Sequence, residues 1–141
     1  MKRLRSRRPS GGAASVVLSR RYEREFGPPL LLRADRIESP PAAATPRHMH
    51  RGPGIRRLLY GRLLAEMGDD MERIEPGQRW FETGKDPVVG TNISGGNSAF
   101  VRVMVLPIEL EGEKLLRRDY RRRGGKARQV AIRLFGETVI S

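Results

Sequence analysis

The stretch ATPRHMHRGPGIRRLLYG, residues 44–61, carries both histidines of the chain, His48 and His50, two positions apart. On an extended strand, residues two apart point to the same side, so the two imidazoles would converge there. The apolar residues that follow, GIRRLLYGRLLAEMG (54–68), have leucines at a spacing a helix could use. Gly61 falls in their middle, however, and Gly54 and Gly68 bracket the run. Two strands that bend at Tyr60-Gly61 suit those glycines better than a helix does, and a hairpin is expected at that point. An all-β chain follows from that choice.

The rest of the sequence is punctuated in the same way. ESPPAAATPR (38–47) is too rich in proline for a helix. DDMERIEPGQRWFET (69–83) reads as a strand, a turn at Pro76-Gly77 and another strand. SAFVRVMVLPIEL (98–110) alternates branched residues up to Pro107 and is the strongest strand of the chain. SVVLSRRYE (15–23) and PLLLRADRIE (29–38) are short apolar or alternating runs, and ARQVAIRLFGETVI (127–140) supplies one or two strands more. GTNISGGN (90–97) joins two strands, so its glycines suit a hairpin loop and not a phosphate cradle, which would precede a helix. Short strands with turn signals at intervals of roughly 8–12 residues point to an antiparallel sandwich or barrel. No internal repeat or second domain is visible. Residues 1–13 are expected to be a disordered basic tail, and residues 14–137 a single β-barrel domain.

Composition narrows the functional classes. The chain has 141 residues, 38% of them hydrophobic, enough for one core. No apolar run approaches the roughly 18–20 residues of a membrane span. The basic N-terminus is followed only by AASVVL, too short for a secretory leader. The absence of cysteine excludes disulfides, thiolate nucleophiles and thiolate metal sites, and is compatible with a cytoplasmic protein. The net charge is +12, but it is concentrated. Residues 1–29 hold eight basic against two acidic residues, and residues 114–128 hold eight against one. Residues 30–113 hold eleven against twelve. With Tyr120 the one aromatic among the C-terminal arginines, this is a pattern of solvated tails and not of a dedicated nucleic-acid groove. Neither specific nucleic acid nor membrane is an expected partner.

Over this strand pattern, two segments resemble the conserved motifs of the cupin superfamily. HMHRGPGIRRLLYGRL (48–63) is similar to the first, with His-x-His, a short loop and a strand that ends in glycine. EPGQRWFETGKDPVVGTN (75–92) is similar to the second, with Pro76-Gly77 at its start and Gly84, Pro87 and Asn92 after it. SAFVRVMVLP resembles the strand that follows in small single-domain cupins. The likeness covers roughly residues 30–110. It implies an antiparallel jelly-roll barrel, or double-stranded β-helix. For a metal-binding member it also implies two histidines and a glutamate in the first motif and a third histidine in the second. His48 and His50 match the pair, whereas Gly54 stands at the glutamate position and Val88 at the third histidine.

Glu82 can replace what is missing if it shares the inward parity of Trp80; the alternative is an exposed or arginine-paired carboxylate beside the Gly84 turn. Two imidazoles and a carboxylate suit Fe(II), Mn(II) or Zn(II), with water in the open positions. Trp80, Val88, Arg102 and Tyr60 are the candidate walls of a ligand pocket. Arg56, Arg57 or Arg102 could turn inward to hold a carboxylate, although solvent is the default for each. Two function classes stay open. One is a metalloenzyme, a dioxygenase or isomerase acting on a small organic molecule around His48, His50 and Glu82. The other is a metal-free module that binds a small ligand without catalysis. A homodimer is expected from exposed edge strands, with SVVLSRRYE as the pairing segment.

Overall fold

The computed structural model describes residues 13, 15–21, 25–113 and 130–141. In chain order its strands are β1 (Leu30–Ser39), β2 (Gly54–Tyr60), β3 (Leu63–Met67), β4 (Asp70–Ile74), β5 (Arg79–Glu82), β6 (Val88–Asn92), β7 (Ser98–Pro107) and β8 (Ala131–Ile140). They form two antiparallel sheets, one ordered β5-β2-β7-β1-β8 and one ordered β4-β3-β6. This is the all-β, antiparallel architecture expected of a jelly roll. Among the described residues the two sheets remain separate hydrogen-bonded units.

The large sheet is organised around β7. β1 pairs with β7 along its full length, from Leu30 opposite Pro107 to Ser39 opposite Ser98. Alternation sets the covered face: Leu31, Arg33, Asp35, Ile37 and Ser39 of β1 are buried, as are Ser98, Arg102, Met104 and Leu106 of β7. β8 pairs with the other edge of β1, with a register shift between Ala34 and Asp35. Two apolar clusters fill the interior. Leu58, Leu63, Ala65, Ile74 and Trp80 pack between the sheets, with Met67 and Phe100 against them. Leu31, Met104, Leu106 and Leu110 form the second cluster, and Leu110 belongs to a 3-10 turn that follows β7.

The chain winds between the sheets. β2 and β3 lie in different sheets, so the bend after Tyr60 is a crossing and not the expected hairpin. Gly61 makes that corner at φ +82°, and a Cβ there would stand 2.5 Å from that of Ser98. The turn at Pro76-Gly77 also carries the chain across, from β4 to β5. GTNISGGN leads from β6 to β7, again between sheets. The reason is shared: each of these strands finds its hydrogen-bond partner in the sheet opposite its sequence neighbour. Only β3–β4 is a hairpin between consecutive strands among the described residues.

One expected strand is not formed. Residues 15–21 of SVVLSRRYE belong to no strand, and Val16 is 83% exposed. Local preference for strand is not enough without a pairing partner, and among the described residues this segment pairs with none. Tyr22 and Glu23 lie outside the described residues, as do residues 1–12 of the basic tail and the basic segment 114–129. Among the described residues no helix is long and apolar enough to cross a membrane.

Candidate functional site

After β1 the chain crosses to the small sheet and runs antiparallel to β6. Ala42 donates to Asn92, Thr45 to Gly90 and His48 to Val88, at 3.1, 2.9 and 3.1 Å. Val88 N–H returns a bond to the His48 carbonyl at 2.8 Å. This edge segment places His48 at the rim of the space between the sheets. Residues 49–53 then cross back to the large sheet and carry His50 towards the end of β5, where Glu82 sits. The histidines are not neighbours on one regular strand, yet their rings meet edge to face with centroids 4.8 Å apart.

Hydrogen bonding assigns one of the ring nitrogens. His48 Nδ1 lies 2.7 Å from the Pro46 carbonyl, which can only accept, so Nδ1 carries a proton. His48 Nε2 faces His50 Nε2 at 3.3 Å, and His50 Nε2 also lies 3.3 Å from Glu82 Oε2. His50 Nε2 thus stands between the His48 ring and the carboxylate, and its approach to Glu82 is one of proximity, not of a directed hydrogen bond. Burial pushes the His50 pKa down, and although Glu82 opposes this, the Arg56 charge adds to it. His50 is therefore held as a neutral imidazole.

Behind the histidines is a row of one aromatic and three charged residues. Trp80 of β5, Arg56 of β2, Arg102 of β7 and Asp35 of β1 stand opposite one another across four neighbouring strands. Arg102 and Asp35 form a two-pronged pair, Nε to Oδ1 at 2.7 Å and Nη2 to Oδ2 at 2.9 Å. Arg56 is 1% exposed; its Nη1 donates to the Gly54 carbonyl at 2.9 Å. Its Nη2 lies 2.8 Å from Glu82 Oε2, but off the direction of a hydrogen bond, so the pair is held by charge more than by a directed bond. Glu82 Oε1 accepts from the Trp80 indole at 3.0 Å. Burial alone would raise the Glu82 pKa, but the Arg56 charge, the adjacent His50 and the bond from the Trp80 indole bring it to about 2. Burial lowers Arg56 to about 10, which leaves it charged at neutral pH.

Two spaces meet at His50. The inner one, about 40 Å³, lies between the sheets and is bordered by His48, His50, Arg56, Trp80, Glu82, Val88 and Arg102 among others. It has room for a few waters. The outer cleft, about 440 Å³, is formed by Glu25, Phe26, residues 49–53 and residues 83–85. His50 borders both.

Six of the seven candidate residues thus surround one cavity: His48, His50, Glu82, Trp80, Val88 and Arg102. Tyr60 is not with them. It is 37% exposed, and its hydroxyl accepts from Arg36 and donates to Glu38 on the outer face. The cause is a register shift between Leu58 and Tyr60 that turns the end of β2 outward. Arg56 and Arg102 face inward, whereas Arg57 is exposed. The sequence reading did not single out Asp35 or the outer-cleft residues Arg51 and Lys85. In PLLLRADRIE the parity that is buried carries Arg33 and Asp35 as well as Leu31 and Ile37, so alternation in the sequence does not mark Asp35 as inward, and loop residues such as Arg51 and Lys85 have no periodicity at all.

A divalent ion is what the cupin resemblance implies for this place, and the residues present do not fit one. Among the described residues no three His, Cys, Asp or Glu side chains are grouped to hold a metal. The Glu82 oxygen nearest His50 already faces the fixed charge of Arg56 at 2.8 Å.

Fold and site define a two-sheet β protein with a charged, histidine-edged interior. No protein-family model and no curated protein matches the sequence. The solved structures to which it is similar include cupin-type proteins. One is an RmlC-like cupin from Shewanella frigidimarina, at 17% identity over 55% of this chain and 68% of that one, with a TM-score of 0.49. A predicted oxalate decarboxylase from Thermotoga maritima is similar at 21% identity over 52% of this chain and 65% of that one, TM-score 0.48. A sugar phosphate isomerase from a cupin superfamily, from Silicibacter pomeroyi, is similar at 16% identity over 54% of this chain and 51% of that one, TM-score 0.48. The chain spans between half and about two thirds of these proteins.

Proposed function

We propose that this protein is a small cupin-like module that binds a small organic acid in the outer cleft, with His50 at the cleft's inner wall and without a resident metal ion. The carrying observation is the cleft itself. At about 440 Å³ it falls in the range of small-molecule sites, whereas the inner cavity does not. Phe26, Met49 and Pro53 offer apolar walls, and Arg51 and Lys85 offer cations. Lys85 is held 3.4 Å from Glu25, but both side chains are more than half exposed, so a ligand carboxylate can compete for it at little cost.

The metalloenzyme reading, a dioxygenase or isomerase around His48, His50 and Glu82, has the converging imidazoles in its favour and the Arg56–Glu82 pair against it. The test of the proposal is calorimetric titration with 3-phenylpropionate and with its neutral amide. The acid should bind and the amide should bind at least about tenfold more weakly, since the charged contact is worth more than a neutral one. Arg51→Ala with Lys85→Ala should remove that preference. Equal binding of acid and amide would refute an acid-binding cleft.

A further inference from the structure

The interior holds a feature that ligand binding in the outer cleft does not require: a fully buried arginine beside two imidazoles. Gly54 explains how it fits. A Cβ at position 54 would stand 3.0 Å from Arg56 Nη1 and 2.8 Å from Met104 Cγ. A side chain at 54 would have to push both Met104 and the Arg56 guanidinium aside. The glycine carbonyl is also the acceptor that anchors Nη1, at 2.9 Å. Gly54 and Arg56 are therefore a matched pair, one clearing the space and the other filling it with a fixed positive charge.

That charge is directed at the one carboxylate next to the histidines. Glu82 is 10% exposed, and its second oxygen is taken by the Trp80 indole. A divalent ion brought to His50 and Glu82 would meet a guanidinium already 2.8 Å from the ligating oxygen. Like charges at such range, in a medium less polar than water, repel by enough to outweigh the gain from a single carboxylate ligand. Arg102 cannot be the cause in the same degree, because Asp35 neutralises it with two hydrogen bonds.

We propose that Arg56, seated against Gly54, is the permanent cation of this interior, a guanidinium that neutralises Glu82 in place of a metal ion and keeps the His48–His50–Glu82 group closed to divalent metals. This does not depend on what occupies the outer cleft, and metal binding to the variants reports on it separately from carboxylate binding.

The experiment uses the full chain, purified without a histidine tag, titrated with Co(II) and Zn(II). Wild type should show no visible Co(II) absorption from nitrogen ligands, and its histidine ring NMR signals should not move with stoichiometric Zn(II). Arg56→Met should bind Zn(II) at least about a hundredfold more tightly than wild type, as expected for removal of an adjacent buried charge. Arg56→Lys retains the charge and should gain nothing. Adding Glu82→Gln to Arg56→Met should cancel the gain. Should Arg56→Met not fold, Arg56→Gln, whose amide can still bond the Gly54 carbonyl, carries the same expectation. Zn(II) binding in wild type at the level of the variants would overturn the proposal. So would a folded Arg56→Gln or Arg56→Met that binds no better than wild type.

Discussion

The space between the sheets has two unlike halves. At one end, Leu58, Leu63, Ala65, Ile74 and Trp80 make an apolar cluster in which shape alone decides the packing. A few residues away, Arg56 on β2, Glu82 on β5, Arg102 on β7 and Asp35 on β1 place four charges where leucines would serve stability as well. Leu58 and Arg56 are two positions apart on one strand and share its inward face. Burial is similar at both ends, so the difference is one of purpose. The apolar end holds the sheets together, and the polar end maintains a fixed electrostatic arrangement beside His50. Loss of a side chain should therefore have different consequences in each half.

The largest effect is expected in the polar half. Asp35→Ala leaves Arg102 buried without its two-pronged partner, and should cost about 3–5 kcal/mol in urea unfolding. Asp35→Ala together with Arg102→Met should recover much of that loss, because no uncompensated charge remains. A double variant as unstable as the single one would show that the pair is needed for shape and not for charge balance. In the apolar half, Leu58→Ala should cost about 2–4 kcal/mol as a cavity penalty, and no second substitution at a neighbouring charge should offset it. If both halves responded alike to their double variants, the contrast would fail.

The halves should also part in acid. The folded-state pKa of Glu82 is about 2, below its ordinary value of 4.5. Its contribution to stability is thus complete above pH 4.5 and is lost as pH falls towards 2. One such group gives a slope of at most about 1.4 kcal/mol per pH unit across that window. Glu82→Gln should remove this part of the slope, and Leu58→Ala should lower stability uniformly and leave the slope unchanged. An acid profile unaltered by Glu82→Gln would mean that the carboxylate is not held by Arg56 and His50 as described.

The two halves differ equally in how far the sequence reveals them. β7 is legible as a strand because SAFVRVMVLP is a run of branched and apolar residues that ends at Pro107, and the corner at Gly61 is legible because little but glycine suits it. Which sheet receives the next strand is not, since pairing depends on contacts distant in sequence; hence crossings stand where hairpins were expected. The inward Glu82 was accessible from its parity with Trp80, whereas His48 and His50 were accessible only as a pair close in sequence, since the turn at 49–53 and not strand parity brings their rings together. Arg56 was harder for a particular reason. In IRRLLY each parity contains one arginine and one leucine, so the pattern looks the same whichever face is covered. The tertiary structure breaks that tie, through the space that Gly54 leaves and the carboxylate that β5 brings alongside.

The smallest effect concerns Tyr60, the residue whose parity matches Arg56 and Leu58 but whose side chain lies outside. Its hydroxyl joins Arg36 and Glu38 at 2.8 and 3.0 Å on a solvent-facing patch, and Arg36 also lies over its ring. Exposed networks of this kind contribute little, because water competes for every partner and the long side chains lose freedom in holding still. Tyr60→Phe keeps the ring over which Arg36 lies and removes only the hydroxyl. It should change unfolding stability by less than about 0.5–1 kcal/mol and leave titration of 3-phenylpropionate unchanged. The register shift after Leu58 makes this a test of where the inward row ends. A Tyr60→Phe variant that weakened carboxylate binding several-fold would place residue 60 with Arg56 and Trp80 after all, and extend the polar half by one more position along β2.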